Sequence, residues 1–365
     1  MTHYIVISPR NPFDVYGKAR DLVGGKWLPN RGIGLDPDFS TYATGGGGFA
    51  ANTRRKVVRQ PSLVKPSGGG LSEMTIQSTG LLARIWLRIS ATISGTLTNP
   101  NPLGVSSIIR RVSLRANSGL ELFSVSGPGY AWLLQHHLES EYFPMTPQNQ
   151  GRQAVTTGTF NLDMVVPVCV SMNDFTGLIL LQSKQIAVTL QVDWATDTSV
   201  ATGATVAATC IPYVEYYTVP PLPEDRPALN RAQLILQDDL TISGAGEHIY
   251  EPIVGPRYIQ IIHGLNYGVN GADDIDNARL RVEQSNYLFD VDIDYLNMEW
   301  RAFHNAPRPA GVWSYDFAAS SGLGVYGGAR DLVNTAQITS FESVFNALGS
   351  GSNLTTIRRM LVDVA

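Results

Sequence analysis

The chain has 365 residues, 44% of them hydrophobic and only 16% charged, with 35 Gly, 21 Pro and two Cys. That length suits two domains or one large all-β domain, and low charge with abundant turn formers excludes a helical bundle in favour of a β-protein with extensive subunit contacts. The net charge of −4 hides an asymmetry, because residues 1–70 hold ten Lys/Arg against four Asp and leave an acidic body behind them.

Residues 1–75 read as an extended arm. Gly24-Gly25, Pro29, Pro37, Gly45 to Gly48, Pro61, Pro66 and Gly68 to Gly70 interrupt any period that could build a strand or helix. Four of the cations cluster at Arg54, Arg55, Lys56 and Arg59. A basic arm on an acidic body suits an anionic partner such as lipid headgroups or nucleic acid, and a solvated linker with incidental charge is the alternative. No charged stretch followed by an apolar one opens the chain, and no apolar run approaches the about 18 residues that a spanning helix needs, so folding in a host cytoplasm is expected.

Regular structure is predicted from about Gln77. Ile85, Leu87, Ile89, Ala91 and Ile93 alternate with Arg84, Trp86, Arg88, Ser90 and Thr92, which is the period of a half-buried strand. After the turn at Thr98-Asn99-Pro100-Asn101-Pro102, Val112 and Leu114 alternate with Arg111, Ser113 and Arg115 in a second strand. A helix is predicted over residues 129–140, where Tyr130, Leu133, Leu134, His137 and Leu138 share one face. His137 should then be packed and its neighbour His136 exposed. Further strands are predicted over 160–170, over 185–192 (Ile186, Val188, Leu190 and Val192 on one side) and over 214–219, with a polar turn at Asn173-Asp174.

Four prolines in residues 220–228 exclude helix and central strand and mark a linker between a first domain, 76–219, and a second, 229–365. The second block repeats the first in outline. Strands are predicted at 232–236, 258–263, 278–282 and 312–317, and a helix from Phe289 to Phe303 on the spacing of Phe289, Ile293, Leu296, Trp300 and Phe303. Two similar blocks, each interrupted by a helix, fit a duplicated sandwich. One short repeat is explicit: VYGKARDLV at 15–23 matches VYGGARDLV at 325–333 in eight of nine positions. Both copies are expected to dock on equivalent surfaces.

The segment 165–193, VVPVCVSMNDFTGLILLQSKQIAVTLQVD, contains V-P-V-x-x-S-x-x-D-x-T-G followed by Q-S-K-Q. It resembles a segment of the double jelly-roll major capsid proteins of tailless, membrane-containing icosahedral bacteriophages, the tectivirus type. NPLGVSSIIRRVSL at 101–114, the helix after Gly127, the stretch from Tyr217 to Leu229, Asn266-Tyr267-Gly268, Asp273-Asp274-Ile275-Asp276 and PAGVWSYD at 309–316 continue the likeness in order. Together these cover most of residues 76–330, whereas the arm and residues 335–365 align poorly.

The resemblance implies an all-β fold of two tandem eight-stranded jelly rolls, each with an inserted helix, behind an extended N-terminal arm. It implies a structural subunit and not an enzyme. Homotrimers would tile pseudo-hexagonally into an icosahedral virion shell over an internal membrane, with penton and cement proteins as further partners. Arg54, Arg55, Lys56 and Arg59 are then expected to face the particle interior and its lipid headgroups, with no sequence-specific nucleic acid.

No cofactor or metal is expected. Asp273, Asp274 and Asp276 fail the calcium-loop pattern, since the sixth position from Asp274 is Arg279 where glycine is needed. They read as an acidic loop, with an intersubunit divalent ion as the alternative. His248, His263 and His304 lack Cys or Glu at ligand spacing, and no nucleophile elbow or phosphate-binding glycine motif is present. Asp290, Asp292 and Asp294 read as caps of the second helix and not as catalytic acids, and Tyr213, Tyr216 and Tyr217 as cross-strand packing. Cys169 and Cys210 read as reduced core residues, with a single bridge between them as the alternative. Two rival functions stay open: a viral spike or carbohydrate-binding β-sandwich, and a β-sandwich hydrolase.

Overall fold

The alternation in residues 84–93 is realised in a single long strand, Leu81–Thr98. The computed structural model describes residues 18–20, 27–29, 49, 53–77, 79–117, 119–142, 151–170, 175–182, 187–221, 229–268, 274–283, 286–304, 307–317, 332–349 and 352–364. Among them, the first half contributes β1 (Arg55–Arg59), β2 (Gly70–Thr75), β3 (Leu81–Thr98), β4 (Ile109–Ala116), β5 (Leu120–Val125), β6 (Gly158–Pro167), β7 (Val188–Trp194) and β8 (Thr202–Tyr217). The second contributes β9 (Arg231–Ile242), β10 (Gly246–Tyr250), β11 (Arg257–Leu265), β12 (Ile275–Val282), β13 (Asn286–Asp292), β14 (Val312–Asp316), β15 (Phe341–Ala347) and β16 (Ser352–Asp363).

Within each half these strands pair antiparallel. The orders are β1-β8-β3-β6 and β2-β7-β4-β5 in the first half, and β9-β16-β11-β14 and β10-β15-β12-β13 in the second. The second pair of orders is the first with eight added to every strand number. Each half is therefore two facing four-stranded sheets wound as a jelly roll, and the chain is a double jelly roll. Short strands at Leu63–Val64, Ile179–Leu180 and Val333–Asn334 extend the sheets.

The period-two pattern explains the cores. Ile85, Leu87, Ile89, Ala91 and Ile93 on β3 are buried together with Val112 and Leu114 on β4 and Val188, Leu190 and Val192 on β7. Each large aliphatic side chain so buried contributes about 1.5–3 kcal/mol. The helix inserted after β5, α1, runs through Gly127–Gly129, a π turn over Tyr130–Leu134, and Gln135–Tyr142. Ser126 caps it by accepting the Gly129 N–H at 3.0 Å. All five residues read as its apolar face are buried, and the Tyr130 hydroxyl accepts the Val165 N–H of β6 at 2.8 Å.

Several expectations change. The first roll begins well inside the stretch read as an arm, since β1 and β2 already pair with β8 and β7. Glycine and charge hide these strands, but the waiting edges of two sheets supply their backbone partners. Between them Gly69, at φ +89°, turns where a Cβ would lie 2.8 Å from the Ala195 carbonyl oxygen. β8 starts at Thr202, twelve residues ahead of the predicted strand, because Thr, Ala and Gly there conceal its alternation. The second helix, α2, covers Ile293–His304 and not 289–303. Phe289 belongs to β13, which the ladder to β12 holds extended. The Asn173-Asp174 turn and linker residues 222–228 lie outside the described residues, as does the VYG-ARDLV repeat apart from Lys18–Arg20, Leu332 and Val333.

His263 on β11 lies in the second core. Its Nδ1 is 2.8 Å from Thr356 Oγ1, its Nε2 3.0 Å from Ser343 Oγ, and its ring stacks on Trp313 with centroids 4.8 Å apart. Burial pushes its pKa down to about 3. The unfolded chain takes up a proton near the ordinary histidine value, while the native state stays neutral until about 3. The stabilisation is therefore whole above that ordinary value and declines as pH falls, by at most about 1.4 kcal/mol per pH unit. Urea denaturation between pH about 7.5 and 5 should show this loss, and His263→Gln should flatten the slope.

Candidate functional site

The basic cluster is part of an ordered edge strand. Arg54 precedes β1 and exchanges backbone contacts with Thr218, whose Oγ1 accepts the Arg54 N–H at 2.8 Å. Arg55, Lys56 and Arg59 lie opposite Tyr217, Tyr216 and Tyr213 of β8, and all four cations are exposed. Between them Val57 is exposed and Val58 half-buried. A charged strand at a sheet edge resists indiscriminate pairing with other chains.

The site residue that sequence reasoning missed is Glu215. It lies on the outer face of the β1-β8-β3-β6 sheet, with a fully buried side chain. Arg55 donates to Glu215 Oε2 at 2.9 Å, Trp86 Nε1 donates to the same oxygen at 3.0 Å, and buried Arg84 has its Nε 3.6 Å from Oε1. Phe49, Phe175 and Tyr217 pack ring against ring beside this cluster, with Leu81, Ala83, Cys169 and Leu178. Burial alone would raise the Glu215 pKa. The hydrogen bonds from Arg55 and Trp86 and the charges of Arg84 and Arg55 outweigh that and hold it below the usual carboxylate value. An arginine and a glutamate on the solvent side of two strands gave no sign of this, because only the β3–β8 register brings them together.

The two rolls meet along a shared sheet. β5 pairs parallel with β9, Phe123 opposite Ile235 and Ser124 opposite Leu236, and fuses one sheet of each roll into a single nine-stranded sheet. Gln237 Oε1 accepts the Ser126 N–H at 2.8 Å, and Arg111 approaches Asp239 at 3.8 Å. The helix α1 then lies across β11. His137 Nδ1 is 2.7 Å from Gln260 Nε2, and Leu133 fills the space where a Cβ on Gly264 would lie 2.6 Å away. His137 is packed as expected, but His136 is not fully exposed, since its ring meets Trp300 of α2 edge-on at 5.2 Å.

Among the described residues, the remaining candidates do not converge on one another, and no three His, Cys, Asp or Glu side chains converge as metal ligands. Asp274 accepts a hydrogen bond from Asn266 Nδ2 at 2.9 Å, and Asp273 lies outside the described residues. Asp292 caps α2 by accepting the Tyr295 N–H at 2.9 Å. Asp290 lies opposite Arg279, and Asp294 stands in the first turn of α2. Both cysteines are free and buried, and burial pushes the Cys210 thiol up to about 12, which leaves it unreactive. His248 Nε2 lies 2.7 Å from the Gly244 carbonyl oxygen. No described helix is long and apolar enough to cross a membrane.

No protein-family model matches the sequence, and no curated protein matches it. Solved structures do. The STIV MCP shares 14% identity and a TM-score of 0.63, over 85% of this chain and 96% of that one. The atomic structure of Sulfolobus Turreted Icosahedral Virus gives 13% and 0.64, over 85% and 91%. The PBCV-1 virus capsid gives 12% and 0.60, over 85% and 94%. Identity this low establishes a shared fold, and that fold is the double jelly roll of viral major capsid proteins.

Removing the carboxylate at 215 leaves the Arg84 guanidinium buried without it. Glu215→Ala should therefore cost about 3 kcal/mol or more in chemical denaturation, and Glu215→Gln less. Because the Glu215 pKa is depressed, its contribution is whole above the ordinary glutamate pKa and is lost as pH falls through the native value. The gap between wild type and Glu215→Gln should close accordingly in strong acid.

Proposed function

We propose that this chain is the major capsid protein of an icosahedral virus, a structural subunit with no catalytic step of its own. The observation that carries the reading is the strand order of the described residues, repeated in two rolls, together with a fold similar over 85% of the chain to the STIV MCP and the PBCV-1 virus capsid. Three copies form a homotrimer whose six rolls make a pseudo-hexagonal tile, and tiles pack into a virion shell. Penton and cement proteins complete the shell, and an internal membrane lies beneath it. The sequence resemblance to capsid proteins of membrane-containing phages supports those finer parts.

The proposed division of the chain is an arm ahead of β1, a first roll from β1 to β8, a proline-rich linker at 220–228 and a second roll from β9 to β16. The junction supports the mechanical role. A tile must resist bending between its rolls, and a shared sheet with a helix laid across it does this better than a linker alone. The affinity that holds a shell together is summed over many such modest contacts.

Light scattering of the purified chain at about 0.15 M salt tests the reading. A stable species near 120 kDa, three times the 39.7 kDa chain, is expected. A monomer at every accessible concentration would overturn it.

A further inference from the structure

Inside the chain, the edge strand β5 and the helix that follows it dock on β9 and β11. The strand numbering gives each of these a counterpart: β5 corresponds to β13, α1 to α2, β9 to β1 and β11 to β3. The first set is mutually buried. Phe123, Ser124, Val125, Gln233 and Ile235 are all 1% exposed or less. The second set is open in part, although Arg84 of β3 and Leu296 and Trp300 of α2 are buried within the chain. Val57 of β1 is 47% exposed, Tyr287 and Leu288 of β13 are 43% and 44%, and Tyr295 and Met298 of α2 are 40% and 61%. Among the described residues, β1 and β13 are outermost in their sheets, and so offer a row of backbone donors and acceptors.

We propose that β13 and α2 of one copy dock on β1 and the outer face of β3 of a second copy, repeating between chains the junction that β5 and α1 make with β9 and β11 within one. This deepens the trimer reading and rests on it. A contact between unlike patches closes only as a ring or runs on as a filament. With two rolls in each chain, three chains give a ring in which six rolls meet at six like junctions.

Charge identifies the occupant as another copy of this chain. Residues 54–59 carry Arg54, Arg55, Lys56 and Arg59 with no acid, and residues 286–301 carry Asp290, Asp292, Asp294 and Glu299 against Arg301 alone. The outer face of β3 adds exposed Arg88, with Asp163 of β6 across from it and Glu215 of β8 already engaged by Arg55 and Arg84. The polarity is reversed relative to the internal junction, where Arg111 on the β5 side meets Asp239 on the β9 side. Opposite polarity keeps β13 from competing for β9, and directs it to β1.

Two charge-reversed full-length variants test this. One carries Arg54→Glu, Lys56→Glu and Arg59→Glu, sparing Arg55, which holds Glu215. The other carries Asp290→Lys and Asp294→Lys, sparing the cap Asp292. Circular dichroism checks folding, and sedimentation velocity reads assembly. Wild type should be trimeric, each variant at least tenfold weaker in trimer formation, and the chain carrying both sets of changes trimeric again.

A trimeric wild type with trimeric folded variants would overturn this interface and leave the capsid reading standing. A monomeric wild type would overturn both. A monomer that sediments with anionic vesicles through its β1 cations would assign β1 to lipid instead, and so overturn the proposal. Should a reversed variant misfold, Val57→Cys and Leu288→Cys chains, mixed and treated with a bismaleimide, give the second readout. A covalent product of twice the chain mass is expected, and its absence would count against the docking.

Discussion

Backbone groups at the edge of a β-sheet must find partners or face water, and the architecture of this chain follows from how its edges are satisfied. The parallel contact of Phe123 and Ser124 with Ile235 and Leu236 is short. It nevertheless closes an edge on each roll and makes one sheet continuous across both. The orientation of the second roll then ceases to depend on the proline-rich connection. Once the sheet is shared, β11 lies beneath α1, and Gly264 leaves room for Leu133 to reach it. The helix inserted in the first roll thus becomes a bracket on the second.

Polar groups around this frame are placed where the sheets cannot supply a partner. His263 bridges Thr356 and Ser343 across the second core, and Gln260 joins β11 to His137 of α1. On the outer face of the first roll, Glu215 gathers Arg55, Arg84 and Trp86. Arrangements of this kind lend little net stability against an apolar alternative, but they penalise any register that leaves one member alone. In a chain with two rolls of the same strand order, such penalties discourage strands of one roll from pairing with the wrong sheet.

Much of the fold was legible because burial on one face of a strand or helix writes a period into the residues. Residues 84–93, Val112 with Leu114, Val188 to Val192 and the α1 face all stand where their alternation places them. Legibility failed where backbone pairing, and not side-chain burial, holds a strand in place. β1 is three cations around two valines, β8 opens with threonine, glycine and alanine, and β13 continues the spacing of the following helix through Phe289. The basic cluster was visible as charge, but its placement on a sheet edge was not.

By itself, the sequence determined that this is an all-β chain of two similar blocks, each with one helix, and that no metal or nucleophile motif accompanies them. These properties are local: composition, period and the residue types that a given chemistry requires. Only the tertiary structure decided that β1 belongs to the first roll, that Glu215 meets Arg84, that β5 pairs with β9, and that β13 and β1 are outermost in their sheets among the described residues. Each of those depends on which distant strands share a hydrogen-bonded ladder. Register of that kind is set by the packing of the whole sheet, and no single segment encodes it.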